Sequence, residues 1–158
     1  MKTATGSASS RDARGDQPDE EPTAATSAGR HALQALTPAE CFDLLEPGGV
    51  GRVGFAAADG IMMLPVNFAV ARKTIVFRTA PDTLLAVYAD GRVSFQTDHL
   101  DEVLHAGWSV LVHGHAHKVT EEREVTELEA RIRLEPWAAG PRDVYVRITP
   151  TRISGRRL

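Results

Sequence analysis

Hydrophobic positions in this chain change period several times, and each change marks an element. The run Thr37-Pro38-Ala39-Glu40-Cys41-Phe42-Asp43-Leu44-Leu45 opens with a capping box and a proline at the first helical position. It predicts a short helix ending at Pro47-Gly48-Gly49. Strands follow over 50–57 and 61–71, joined through Asp59-Gly60, a two-residue hairpin signal. Pro65 cannot donate to a ladder, so it predicts an edge, a bulge or a kink in the second strand. A third strand over 74–79 pairs back through the Arg72-Lys73 turn and gives way to a short helix over 82–89.

Further strands are predicted over 92–97 and 107–118, a charged helix over 120–133, and a last strand over 145–148. The second of these strands alternates most cleanly: Trp108, Val110, Val112, Gly114 and Ala116 share one face, and Ser109, Leu111, His113, His115 and His117 the other. About six short antiparallel strands with two or three small helices imply a mainly β fold, a closed or partly closed antiparallel barrel.

Composition confines that fold to one part of the chain. The 158 residues, 42% hydrophobic and 25% charged, suit one domain with an ordinary core. Residues 1–34 are dominated by Ser, Thr, Ala, Gly, Pro, Asp and Glu and cannot bury enough surface to offset their ordering entropy. They are expected to be a disordered tail, leaving 35–158 as the folded domain. The tail has no apolar run of a secretory leader, and no other stretch is apolar enough for a membrane span. With its single cysteine, the protein is expected in the cytoplasm, without a membrane partner. A net charge of -3 and a pI near 6.1 give no general attraction to nucleic acid, so any ligand must be drawn by a local site. Cys41, near the apolar side of its helix, is read as packing.

The changeover Arg78-Thr79-Ala80-Pro81-Asp82-Thr83 is the most suggestive stretch. A strand ending in arginine and threonine just before a helix start brings a guanidinium, hydroxyls and backbone N–H groups near one point, which is how a chain cradles phosphate. By spacing alone, a solvated arginine and a threonine cap are the commoner explanation. His113, His115 and His117 lie roughly 6.6 Å apart in sequence along one strand face, so three cannot share one ion, and no metal site is assigned. Neither a nucleophile elbow nor a P-loop occurs, and no catalytic residue is assigned.

ECFDLL, VGRVGF, LPVNFAV, IVFRTAPDTLLA, VSFQTD, GWSVLVHGHAHKVT, PW and VRITPTRISGRR occur in an order that resembles the flavin-binding split-barrel proteins related to pyridoxamine 5′-phosphate oxidase, especially the nitroimidazole-resistance-like bacterial group. The resemblance implies a split β-barrel that binds FMN. Pro65, Val66 and Asn67 would face the edge of the flavin ring, Arg78, Thr79 and Thr83 would hold its phosphate, and Trp108 or Trp137 would form part of a flavin wall. It further implies a homodimer with cofactor at the subunit interface, acting as an oxidoreductase on a small, flat organic substrate. Substrate choice would lie in the loops 98–106 and 138–143.

Relatives commonly carry lysine after the second threonine of the cradle, whereas this chain has Leu84. A deazaflavin or haem therefore stands beside FMN as cofactor, and a binding or sequestering protein without turnover stands beside the enzyme. Pyridoxamine phosphate is not the expected substrate, because that enzyme's substrate-binding arginine and histidine pattern has no match here.

Overall fold

Closure of the barrel depends on one long strand. The computed structural model describes residues 33–88, 90–134 and 140–158. It comprises β1 (Gln34–Leu36), α1 (Pro38–Leu45), β2 (Gly49–Ala57), β3 (Gly60–Ala71), β4 (Thr74–Thr79), α2 (Leu84–Val87), β5 (Gly91–Asp101), β6 (Ala106–Val119), α3 (Glu122–Arg131) and β7 (Val144–Arg157). The sheet runs β1-β7-β4-β3-β2-β5-β6, and β7 also pairs with β6, closing six antiparallel strands into a barrel. β7 does this by holding β4 along its first half and β1 at its far end, while β6 follows it from Tyr145 to Arg157. The expected fold class is thus borne out. Gln34, placed in the tail by composition, is a strand residue opposite Arg157; the tail through residue 32 lies outside the described residues.

Local chemistry fixes most of the boundaries. Thr37 caps α1 reciprocally: its hydroxyl accepts from the Glu40 N–H at 3.3 Å, and its own N–H donates to Glu40 Oε2 at 2.8 Å. The Thr37 N–H first, and then the Thr37 hydroxyl donating to the same oxygen at 2.8 Å, hold the Glu40 carboxyl below its ordinary range. Its contribution to α1 is therefore present at neutral pH and is lost as pH falls through that depressed value. At the helix end, Gly48 has φ +70°, and a Cβ there would stand 2.7 Å from the Phe68 carbonyl, so both backbone and space require glycine.

Between β3 and β4, Arg72 and Lys73 form a two-residue turn with φ of 52° and 61°. Pro65 pairs with Arg52 of β2, while β4 engages β3 only from Phe68 onward. The proline thus lies on an unpartnered edge, one of the three outcomes its ring allows.

Two strands outrun their sequence signals. β5 continues to Asp101, so the expected loop 98–106 shrinks to the turn Glu102–His105, where the Asp101 carboxylate accepts from the N–H groups of Val103 and Leu104. β7 runs nine residues past the strand predicted to end at 148. A bulge absorbs Pro150 there: His113 pairs with Arg152, but Gly114 pairs with Pro150.

Phe95, Phe77, Val53, Ile75, Val110, Val112, Val146 and Ile148 fill the barrel, and α1 plugs one end with Cys41 and Leu45. Burial pushes the Cys41 thiol up, as expected of a packing cysteine. A second cluster lies outside the barrel, where α3 lays Val125, Leu128 and the following Ile132 over Val76 of β4, Val119 of β6 and Tyr145 of β7. No helix among the described residues is long and apolar enough to cross a membrane.

Candidate functional site

The β3–β4 ladder stops at Phe68 and Phe77, and the two strands part beyond it. Asn67 and Arg78 are the first outward-facing residues past the split, because strand alternation sends Phe68 and Phe77 into the core. Arg78 is held in place from three sides. Its Nε donates to the Arg142 carbonyl at 2.7 Å, its terminal nitrogen lies 3.8 Å from Asp143 Oδ1, and its guanidinium sits 5.0 Å from the centroid of the Tyr145 ring. Desolvation drives the Tyr145 hydroxyl pKa up, partly opposed by Arg78. A guanidinium has five N–H donors, so this anchoring leaves several for an anion, and its side chain is 27% exposed.

The expected cradle is only partly assembled. Thr79 follows Arg78 and therefore points to the opposite face, where it is fully buried. Its hydroxyl lies 2.7 Å from that of Thr83. Thr83 in turn donates to the Ala80 carbonyl at 2.9 Å and caps α2 by accepting from the Ala86 N–H at 3.2 Å. With Thr83 donating to Ala80, the Thr79 proton goes to Thr83, and neither hydroxyl has a proton left for a phosphate. The threonines brace the strand-to-helix turn, and of the three expected phosphate ligands Arg78 is the one left with donors on the outer side. Beside it a cleft of about 550 Å³ opens between Ala80–Asp82 and Gly140–Arg142.

The remaining expected residues are divided by the same alternation. Pro65 is exposed and Asn67 half-buried on the outer face of β3, next to the split. The Val66 side chain is buried in the barrel core, so its backbone is the part that can meet a ring laid along β3. Trp108 packs against the core beside His99, with 6.5 Å between ring centroids. It lies at the start of β6, about 36 Å of strand from Val119, the residue opposite Tyr145. Within one chain it does not share a site with Arg78. Trp137 lies outside the described residues. Arg142 and Asp143 fall in the loop 138–143 expected to govern substrate choice, but nothing local marks them as anchors of Arg78; Tyr145, expected only as a strand residue, could have been placed by the alternation of Tyr145 and Arg147 against Val146 and Ile148.

The histidine stripe is on the outer face, as alternation predicted, and Ser94 Oγ lies 3.0 Å from His113 Nδ1. Among the described residues no three His, Cys, Asp or Glu side chains converge.

A family profile described as pyridoxamine 5′-phosphate oxidase matches residues 37–157, essentially the whole barrel. The chain belongs to that family. Among its relatives is an uncharacterised protein of Mycobacterium tuberculosis, 31% identical over 125 residues, spanning 75% of this chain and 81% of that one. Of solved structures, the FAD binding protein from Mycobacterium smegmatis shares 32% identity at a TM-score of 0.63, covering 80% of this chain and 99% of that one. A Corynebacterium glutamicum protein, assigned provisionally as a pyridoxamine 5′-phosphate oxidase, superposes at 0.71 with 29% identity over 82% and 96% of the two chains. The family and the split-barrel fold expected from the motifs are both borne out.

Proposed function

We propose that this member of the family is a flavin-dependent oxidoreductase that binds FMN at the barrel split and acts on a small, flat organic molecule. The observation that carries the proposal is Arg78, a guanidinium fixed by its neighbours at the strand end with donors to spare. The similarity to an FAD-binding protein supports a flavin. When bound, the flavin would supply hydride or electron transfer, with a nicotinamide or a deazaflavin as source of reducing equivalents. This chain's own part is to hold the phosphate through Arg78 and to lay the ring against Pro65, the Val66 backbone and Asn67. The site is shared by two copies in this reading. Ile61 and Met63 stand 83% and 59% exposed on the outer sheet face, apolar surface that a second copy would cover.

Replacing Arg78 with methionine removes a charge-assisted phosphate contact worth roughly 1.5–3 kcal/mol, so FMN affinity falls at least about tenfold while riboflavin affinity is unchanged. Parallel calorimetric titrations check this; equal losses for both ligands would place the phosphate elsewhere. Leu84 is 49% exposed in the first turn of α2, so a lysine there enters solvent and not the core. Leu84→Lys then tightens FMN by about fivefold, near 1 kcal/mol, with the gain shrinking in high salt and absent for riboflavin. No change in FMN affinity would put the phosphate beyond reach of that turn.

A second reading, a flavin-, deazaflavin- or haem-binding protein without turnover, is favoured by the internally satisfied Thr79 and Thr83 hydroxyls and by Leu84. Anaerobic reduction of the FMN-loaded protein by NADH or NADPH, followed by reoxidation with a nitroaromatic or quinone acceptor, separates the two. Bleaching and recovery over repeated cycles is the expected result, and a bound flavin inert to every reductant and acceptor would favour the binding protein.

A further inference from the structure

Alternation along β7 places Arg147 on the same outer face as Tyr145, beneath α3 and between its cross-strand neighbours Val76 and His117. An arginine there is costly: its side chain is only 21% exposed, and Glu124 of α3, 29% exposed, pairs with one terminal nitrogen. The Nε of Arg147 is buried without a hydrogen-bond partner among the described residues. Buried donors of this kind are rare, and each calls for an explanation in ligand, ion or water.

Next to this guanidinium a cleft of about 360 Å³ opens, within the range of small-molecule sites. Its walls are of two kinds. Ala71, Leu128 and Ile132 present apolar surface, while four arginines and three glutamates give the lining an excess of one positive charge. Two of the glutamates are already engaged, Glu124 by Arg147 and Glu127 by Arg72 at 3.2 Å. Arg123 and Arg131 line the same cleft, and neither forms an ion pair among the described residues.

We propose that the cleft beneath α3 is a second ligand site, separate from the barrel split, for a small organic monocarboxylate whose apolar body rests on Ala71, Leu128 and Ile132 while its carboxylate meets Arg147 and the unpaired arginines. One negative charge matches the excess in the lining. A phosphate dianion would set a second charge against three glutamates, and a neutral molecule would leave the excess positive charge of the lining uncompensated. Carboxylate and guanidinium match in a two-bond geometry that uses Nε together with a terminal nitrogen.

The test uses the full chain with labelled Ala, Ile and Leu methyl groups, titrated with hexanoate, with 1-hexanol as the neutral counterpart and with inorganic phosphate. Hexanoate is expected to shift the Ala71, Leu128 and Ile132 signals saturably, with hexanol at least about tenfold weaker and phosphate leaving the apolar wall unmoved. The double variant Arg147→Met, Glu124→Gln removes both partners at similar volume and leaves Arg123 and Arg131 in place, and is expected to keep only a reduced preference for hexanoate over hexanol. Should that variant fail to fold, Arg123→Gln with Arg131→Gln, both at exposed positions, is expected to cut hexanoate affinity several-fold without affecting hexanol. Absence of a saturable shift, equal binding of hexanol by the native chain, or undiminished preference for hexanoate in whichever variant folds would overturn the proposal.

Discussion

Phe95→Ala lowers the stability of the barrel by about 3–5 kcal/mol. Phe95 is fully buried on β5, meets Phe68 edge to face at 4.8 Å, and lies directly over Gly51, where a Cβ would come within 2.3 Å of the ring. Gly51 supplies no atoms to fill the space left by the ring, and the β6–β7 pairing that closes the barrel resists collapse of its wall. The loss is therefore the transfer term plus most of the cavity term. For a domain of this size it corresponds to a fall in Tm on the order of 10–20 °C, read by calorimetry or circular dichroism. A loss below about 1 kcal/mol would mean that the barrel is not closed around this ring.

Glu124→Ala has the second largest effect, about 2–3 kcal/mol, because it strands the Arg147 guanidinium beneath α3 with neither Glu124 nor a partner for Nε. The figure lies below that of a fully buried pair because both side chains keep some water. Combining it with Arg147→Met recovers most of the loss, since an apolar side chain replaces the unpaired charge. A double-mutant cycle from denaturant unfolding reads the coupling directly. Additive single and double effects would show that the two groups do not interact in solution.

These residues also show which parts of the molecule the sequence reveals. Thr37-Pro38-Ala39-Glu40 and Asp59-Gly60 could be read at once, because a cap and a tight turn are set by neighbouring residues. β6 could be read because each inward position carries an apolar or small side chain. The far half of β7 could not. Beyond Ile148 its inward positions are taken by Ile153 and by Gly155, where a Cβ would press within 2.7 Å of the Cys41 sulfur, and Pro150 sits at a bulge. Those residues look like a polar tail until β6 and α1 are in place.

The site divides in the same way. Arg78 is prominent in the sequence, but strand alternation puts Thr79 on the opposite face, and Ile75, Phe77 and Thr79 against Val76 and Arg78 already carried that information. The groups anchoring Arg78, at Arg142, Asp143 and Tyr145, come from a segment more than sixty residues away, joined to it only by the pairing of β4 with β7. Arg147 escapes notice because a basic residue in a terminal strand reads as solvated until α3 covers it.

FMN binding and its dependence on Arg78 are read by titration into the purified protein, followed by quenching of flavin fluorescence and by sedimentation. Saturable binding of one FMN per chain to a dimer is expected, with the Arg78→Met protein still dimeric but binding FMN at least about tenfold more weakly. A folded protein that binds neither FMN nor FAD, or whose FMN affinity is indifferent to Arg78, would contradict a flavin site at the split.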